Sequence, residues 1–458
     1  MKVIICGAGL VGFGIAERLS AETNDVSVID QSAQLIQTIS DTLDVRGFVG
    51  HGSHPDVLYQ AGAQDADMII AVTLHDEVNM VACQVAHSLF KIPTKVARVR
   101  SQSYLQEHWR DLFSRENMPI DVIISPEVEV GEMVLRRLAL PGAFDVMSFA
   151  EGQIVVAVVH CGEDCPILDT PLMQLTELFP DLNAVVVGIV RDNRVFVPRS
   201  GDQMLVGDDV YFVAQRDQVE RTLSIFGHDE KQASRVIIAG GGNIGLFVAK
   251  QLEERGSRAR AKIIESSREQ AISIADALSR TVVLHGSALD EEILREADVQ
   301  QADTIVALTN DDQVNILCSV MAKRLGCKRA LSLINNSGYS SFLRSLGIDA
   351  HVNPRTITVS KVLQHVRRGR IRGVHSVRDG MAEVLEAEAL DTSPLVGKPL
   401  RELDLGSGLR IGAIYREGQI IIPRGTTLIQ SNDRIVIFAL ADRVRQVEQM
   451  FRVSFEYF

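Results

Sequence analysis

The chain has 458 residues, 46% hydrophobic and 23% charged, with a formal net charge of −12. That length fits about three domains, and the acidity argues against nonspecific nucleic-acid binding and against adsorption to anionic lipid. Apolar runs are short and broken by Gly, Asp or His, none near the ~18 residues that cross a bilayer, so any membrane association is expected to be peripheral.

Met1-Lys2 leads directly into apolar Val3-Ile4-Ile5-Cys6, so no secretory leader is expected. Gly7-Ala8-Gly9-Leu10-Val11-Gly12 follows, and Asp30 closes the next apolar run, Val26-Ser27-Val28-Ile29. The 18 residues from Gly12 to Asp30 are close to the roughly 20 of a dinucleotide-binding fold. In that pattern Gly7 permits a tight turn, Gly9 lets the backbone approach a pyrophosphate, and Gly12 lets helix and strand pack closely. Asp30 would accept hydrogen bonds from ribose hydroxyls and repel a 2′-phosphate, favouring NAD(H) or an adenine nucleotide over NADP(H).

Further along, Gly52-Ser53 is placed to flank an adenine, and Thr73-Leu74 ends the fourth apolar run. Strand ends at a topological switch point are where ligands bind in such sheets. Val78, Val81, Ala82, Val85 and Leu89 form a helical stripe, expected to be core or subunit contact. Val96-Ala97-Arg98-Val99-Arg100 carries two arginines, and Arg98 is a candidate phosphate partner. His51, His54 and His75 fall near strand ends, where surface or structural roles are expected. Short alternating runs after residue 139, including Val186–Val190 and Val210–Val213, predict a small α+β lobe.

The second half repeats the first. Gly240-Gly241-Gly242-Asn243-Ile244-Gly245 follows Val236-Ile237-Ile238-Ala239, and Glu265 lies 20 residues after Gly245. Gly286-Ser287 and Thr309-Asn310 match Gly52-Ser53 and Thr73-Leu74, while Asp312 and Asn315 match Asp76 and Asn79. Arg268, near Glu265, slightly weakens the case against NADP(H) in this half. Ala330-Leu331-Ser332-Leu333-Ile334 carries no arginine where the first half has Arg98, so unequal affinity or ligand preference is expected. Val314, Leu317, Met321 and Leu325 repeat the helical stripe, and a second small lobe ends the chain.

This is duplication, with expected boundaries at 1–138 and 234–366 for two Rossmann-like α/β domains with parallel sheets. Small α+β lobes are expected at 139–226 and 367–458, with a polar linker at 227–233. The six cysteines are scattered, as in a cytoplasmic protein with reduced thiols. Cys161 and Cys165 lack a further ligand at suitable spacing, so no metal is expected. No Walker lysine follows the glycines, and no nucleophile triad signature appears. Lys361, Arg367, Arg368, Arg370, Arg372 and Arg378 form a basic run without an acid. It is read as a solvated crossover helix, or as a contact with an acidic partner or neighbouring subunit.

The duplicated glycine motifs, the order of domain and lobe, Gly52-Ser53-His54-Pro55-Asp56-Val57-Leu58 and Ala63-Gln64-Asp65-Ala66-Asp67-Met68 together resemble the RCK (regulator of potassium conductance) family in its tandem form. The resemblance spans essentially the whole chain. It implies a non-enzymatic cytoplasmic regulatory subunit, peripheral on the inner face of the membrane and bound to the potassium-translocating subunit of the Trk uptake system. It also implies binding of NAD(H) and ATP or ADP, and a homotetramer forming a ring of eight RCK modules. The implied nucleotide residues are Gly7 to Gly12, Asp30, Thr73, Leu74 and Arg98, then Gly240 to Gly245, Glu265, Thr309 and Asn310. Many RCK domains have Gly-Asp where both copies here read Gly-Ser, so an acid-mediated contact is not carried over. The alternatives are an NAD-dependent oxidoreductase or a nucleotide-sensing regulator of another transporter.

Overall fold

The computed structural model describes residues 1–22, 24–179, 181–255, 259–339, 342–366, 370–403 and 405–451. Among them the chain forms two compact units, Met1–Val130 with Asn353–His365, and Gly131–Val352 with Val366–Phe458.

In the first unit, β1 (Lys2–Cys6), β2 (Asp25–Asp30), β3 (Arg46–Val49), β4 (Met68–Ala71), β5 (Thr94–Arg98) and β6 (Val122–Ile124) form one parallel sheet in the order 3-2-1-4-5-6. The connecting helices are α1 (Leu10–Ala21), α2 (Ala33–Thr42), α3 (Pro55–Gln60) and α4 (Asp76–Phe90), with α5 (Pro126–Ala139) leaving the sheet. Helices cover both faces, so central strands are apolar throughout; Val3, Ile4, Ile5 and Cys6 are all buried. The strand order reverses between β1 and β4, which opens a crevice at their C-terminal ends.

The second unit contains a first antiparallel lobe: β7 (Asp145–Phe149), β8 (Ile154–His160), α6 (Leu172–Leu178), β9 (Ala184–Arg191), β10 (Arg194–Phe196), β11 (Asp209–Gln215) and α7 (Val219–Ile225). Next comes a copy of the parallel sheet: β12 (Arg235–Ala239), β13 (Arg260–Glu265), β14 (Val282–His285), β15 (Thr304–Ala307), β16 (Arg329–Leu333) and β17 (Ala350–Val352). Its helices are α8 (Asn243–Glu254), α9 (Arg268–Asp276), α10 (Glu291–Glu296) and α11 (Asp312–Arg324). After α12 (Pro354–Val366), the second lobe holds β18 (Ile371–Val377), β19 (Ala382–Glu388), β20 (Leu409–Arg416), β21 (Gln419–Ile421), β22 (Arg434–Leu440) and α13 (Val444–Met450). Met147, Val187 and Tyr211 of one lobe share a core with Val384, Val436 and Phe438 of the other. Each lobe repeats one buried bidentate pair, Arg191–Asp208 and Arg416–Asp433, with N–O distances of 2.7 and 2.8 Å in the first and 2.7 Å in the second.

Two expectations change. The basic run from Lys361 to Arg378 is not a single solvated helix, because it crosses from α12 into β18. Its cations meet acids of this chain: Lys361 pairs with Glu129 at 3.3 Å, Arg370 and Arg372 pair with Glu388, and Arg378 pairs with Asp209. Arg367 and Arg368 lie outside the described residues. The apolar stripes are only partly core: Ala82 is buried, and Val85, Met321 and Leu325 pack against the cores of their sheets. Val81 and Leu89 of α4 are 45% and 60% exposed, and Leu317 of α11 is 53% exposed. The buried face of α4 combines Met80 with the smaller Asn79, Ala82, Cys83 and Ala86, which let the helix lie close.

The α12 helix belongs to the first unit, although it follows the second sheet in sequence. Arg355 pairs with Glu17 at 3.6 Å and lies over the Phe13 ring, beside Gly14 of α1. In the second unit α5 meets α8 in a similar way. Gly131 faces Phe247, and Glu132 pairs with Arg255.

Candidate nucleotide-binding sites

Gly7 leaves β1 with φ +112°, a conformation open to glycine, and Gly240 does the same with φ +104°. A Cβ on Gly12 would lie 1.8 Å from the Gly7 carbonyl oxygen, and one on Gly245 would lie 2.1 Å from that of Gly240. These glycines hold each helix against its turn. Gly9 and Gly242 differ: both have ordinary negative φ, and a Cβ there would meet nothing within 4 Å. That open space leaves the backbone at Gly9 and Gly242 accessible to close approach.

Gly9 and Gly242 are the N-caps of α1 and α8, and neither helix has a side-chain cap. The next helices, α2 and α9, are capped by Ser32 and Ser267. Leu10, Val11, Asn243 and Ile244 therefore open helices whose first N–H groups are offered to an anion rather than to a side chain. Leu10 is itself 65% exposed.

The acids have a second occupation. Asp30 accepts the Ala8 N–H on Oδ2 and the Ser32 N–H on Oδ1, both at 2.8 Å. Glu265 accepts the Gly241 N–H at 2.7 Å and the Ser267 N–H at 2.8 Å. Each carboxylate thus braces its glycine loop; Glu265 Oε1 also accepts the Ser266 hydroxyl at 3.3 Å, while Oε2 and both Asp30 oxygens keep a further lone pair.

Two buried asparagines organise the end of the fourth strand in each sheet. Asn79 accepts the Thr73 N–H at 2.8 Å and the Thr73 hydroxyl at 2.7 Å, and donates to the carbonyls of Thr73 and Arg98. Asn315 does the same for Thr309 and Leu333. Asp76 and Asp312 hold the following loops, through the N–H groups of Arg100 and Ser101 and of Asn335 and Asn336. Their matching positions in the two halves were visible in sequence, but not this bracing role.

Arg98 ends β5, and its Nη2 donates to the Thr73 carbonyl at 2.8 Å. Its Nε is buried without a partner. Burial, and then the neighbouring Arg100 cation, hold its pKa below the usual guanidinium range. The position paired with Arg98 in the repeat is Leu333, which is buried.

Cys6 of β1 donates to the Gly52 carbonyl, and the Ser53 hydroxyl contacts His51 Nδ1 at 2.8 Å. His51 stacks on His54. In the repeat the Ser287 hydroxyl accepts the Leu289 N–H at 3.2 Å, and Gly286 faces Ile293. Leu74 and Asn310 are exposed beside the threonines. Among the described residues, no group of three or more His, Cys, Asp or Glu is arranged to hold a metal ion. No described helix is long and apolar enough to cross a membrane.

The TrkA-N domain matches residues 3–126 and 236–354, and the TrkA-C domain matches residues 156–227 and 384–452. A Trk system potassium uptake protein TrkA from Azorhizobium caulinodans is 65% identical over 458 residues, covering 100% of both chains. The chain belongs to the TrkA family. TrkA of Halomonas elongata is 41% identical over 462 residues, again covering 100% of both. Both relatives are potassium uptake proteins of the Trk system. Among solved structures, the GsuK RCK domain aligns with a TM-score of 0.60 at 17% identity, over 98% of this chain and 94% of that one. The GsuK channel bound to NAD gives 0.59 at 16% identity, over 98% and 78%. At such identity these likenesses describe the fold.

Proposed function

We propose that this TrkA-family chain binds NAD(H) and adenine nucleotides in both glycine cradles, and gates a potassium-translocating membrane partner through a ring of RCK modules. The observation that carries this reading is the pairing of open space at Gly9 and Gly242 with uncapped helix N-termini, present twice in one chain. The nucleotide residues would be Gly7 to Gly12 with Asp30, Thr73 and Arg98, and Gly240 to Gly245 with Glu265 and Thr309. Gly52, Ser53, Leu74, Gly286, Ser287 and Asn310 would form the walls. The chain's role is to orient the phosphates by backbone N–H groups and the riboses by Asp30 and Glu265.

Unequal sites follow from Arg98 against Leu333. A guanidinium beside the first cradle favours the ligand with more phosphate charge. The exposed apolar side chains of α4 and α11, among them Val81, Leu89 and Leu317, suit burial against neighbouring copies. We read the assembly as a homotetramer, eight modules in a ring, at the cytoplasmic face of the membrane. Gating then requires that each nucleotide bind one ring state more tightly than another, because equal affinity shifts nothing.

Calorimetry of the purified chain with NAD, NADH, NADP, ATP and ADP tests the ligand assignment. Binding of NAD(H) or adenine nucleotides with NADP excluded is expected. NADP preference, NADH turnover or absence of binding would overturn it. Light scattering should give the mass of four 50.3 kDa chains.

A further inference from the structure

A second cavity, of about 830 Å³, lies in the second unit, at the edge of the second parallel sheet opposite its glycine cradle. It is lined by residues 141–144 of the first repeat, by His228 and residues 230–232 before β12, and by Arg235, Lys328 and Arg329 at strand beginnings. Arg235 starts β12 and Ala239 ends it beside the cradle. Four residues of strand separate the two edges, about 13 Å. Both places are therefore open to separate ligands.

Charge in this cavity is unbalanced. Two of its three carboxylates, Asp303 and Asp349, are paired with lysines. Asp303 pairs with Lys328 at 2.8 Å and accepts the N–H groups of Ser234 and Arg235. Asp349 is held by Lys323 at 3.0 Å and by the Ala330 N–H, and Glu230 faces His228 at 3.2 Å. Lys231, Arg235 and Arg329 remain. Among the described residues, none of these three has a carboxylate within ion-pair distance. Arg235 Nη1 reaches only the neutral Gln301 amide oxygen, at 2.5 Å. Arg329 reaches the Lys231 carbonyl at 3.4 Å, and its Nε is buried with no partner. Burial draws the Arg329 pKa down from its ordinary value and outweighs the opposing pull of the Glu230, Asp349 and Asp303 charges.

We propose that this cavity is a second effector site that takes a small phosphate-bearing polyanion, separate from the two glycine cradles. The volume falls within the ~300–1,000 Å³ of small-molecule sites, and two arginines and a lysine supply forks and a point charge suited to phosphate oxygens. Because residues 141–144, His228 and residues 230–232 share the lining with the second sheet, the ligand would tie the end of the first repeat to the second nucleotide domain. This does not rest on the cradles binding nucleotide.

The test is calorimetric titration of inorganic pyrophosphate into the full chain carrying Gly9→Asp and Gly242→Asp, which block both cradles. One pyrophosphate per chain is expected, with affinity falling as salt rises. Arg329→Gln or Arg235→Gln should each weaken binding by about tenfold or more, the worth of one charge-assisted hydrogen bond. Lys231→Gln, at an exposed position, should weaken it several-fold without disturbing the fold, and so decides the matter if an arginine variant unfolds. No binding at millimolar pyrophosphate, or affinity indifferent to these substitutions, would overturn the proposal.

Discussion

Gly9 and Gly12 are three residues apart in one motif, yet their substitution should fail in opposite ways. A Cβ on Gly12 would sit 1.8 Å from the Gly7 carbonyl oxygen, which is backbone and has little room to retreat. Forcing atoms into a packed site costs about 1–3 kcal/mol even where neighbours yield. For a nucleotide domain of this size each kcal/mol lowers Tm by about 3–5 °C, so Gly12→Ala should lose several degrees and up to ~15 °C. Gly9→Asp meets nothing within 4 Å and keeps an ordinary backbone conformation at an N-cap that Asp favours. Its Tm should stay close to that of the parent. Its carboxylate would instead confront phosphate charge at ~4 Å, worth about 4 kcal/mol at an effective dielectric of ~20, or roughly a thousandfold in affinity. Differential scanning fluorimetry and calorimetry, both in a Gly242→Asp background that isolates the first cradle, separate the two effects. Gly12→Ala melting like its parent would refute the close-approach reasoning. Gly9→Asp binding nucleotide at parental affinity would refute a phosphate lying over Gly9.

Arg98→Leu copies Leu333 into the first half; it should weaken nucleotide at the first cradle by about tenfold and leave the second untouched, and an unchanged isotherm would remove Arg98 from phosphate binding. Asn79→Ala and Asn315→Ala should each cost about 2–4 kcal/mol in denaturant unfolding, because they strand several buried backbone groups; a loss below ~1 kcal/mol would mean that water replaces the amide. Burial, and then the Arg137 cation, hold His351 down to about 4, against ~6.5 in an unfolded chain. The unfolded chain therefore takes up that proton first on acidification. The stability this neutral imidazole contributes is present above pH ~6.5 and is lost as pH falls toward 4. His351→Gln should flatten the fall in Tm between pH 7 and 4.5, and an unaltered slope would exclude His351 as its source.

The nucleotide fold was legible because its signals are local. Turn glycines, a buried strand on either side and an acid some twenty residues on all lie within one βαβ segment, and the repeat doubled the signal. Side-chain allegiance was less legible. Asp30 and Glu265 fit a ribose contact in sequence, but their oxygens also hold the N–H groups of Ala8 and Gly241, a pairing made only when the loop closes. The apolar stripe of α4 was legible only in part, because periodicity marks a face without saying what lies opposite; the core took Ala82 and Val85 and left Val81 and Leu89 outside. The basic run misled for a similar reason. The acids that meet it, Glu129, Asp209 and Glu388, are distant in sequence or on another strand.

The place of α12 has a consequence for dissecting the protein. The first compact unit takes residues 353–365 from beyond the second sheet, so neither repeat is a self-sufficient cutting. A protease that nicks the polar stretch at 227–233 should yield two fragments that migrate together until denatured. A gene truncated after the first lobe would expose Gly14 and Phe13, the face that Arg355 and Val359 cover. Ribosomes complete that cover only after reading three-quarters of the message. The order of synthesis thus leaves the first nucleotide domain unfinished until well into the second half of translation, a window in which chaperones or premature partners would find it open.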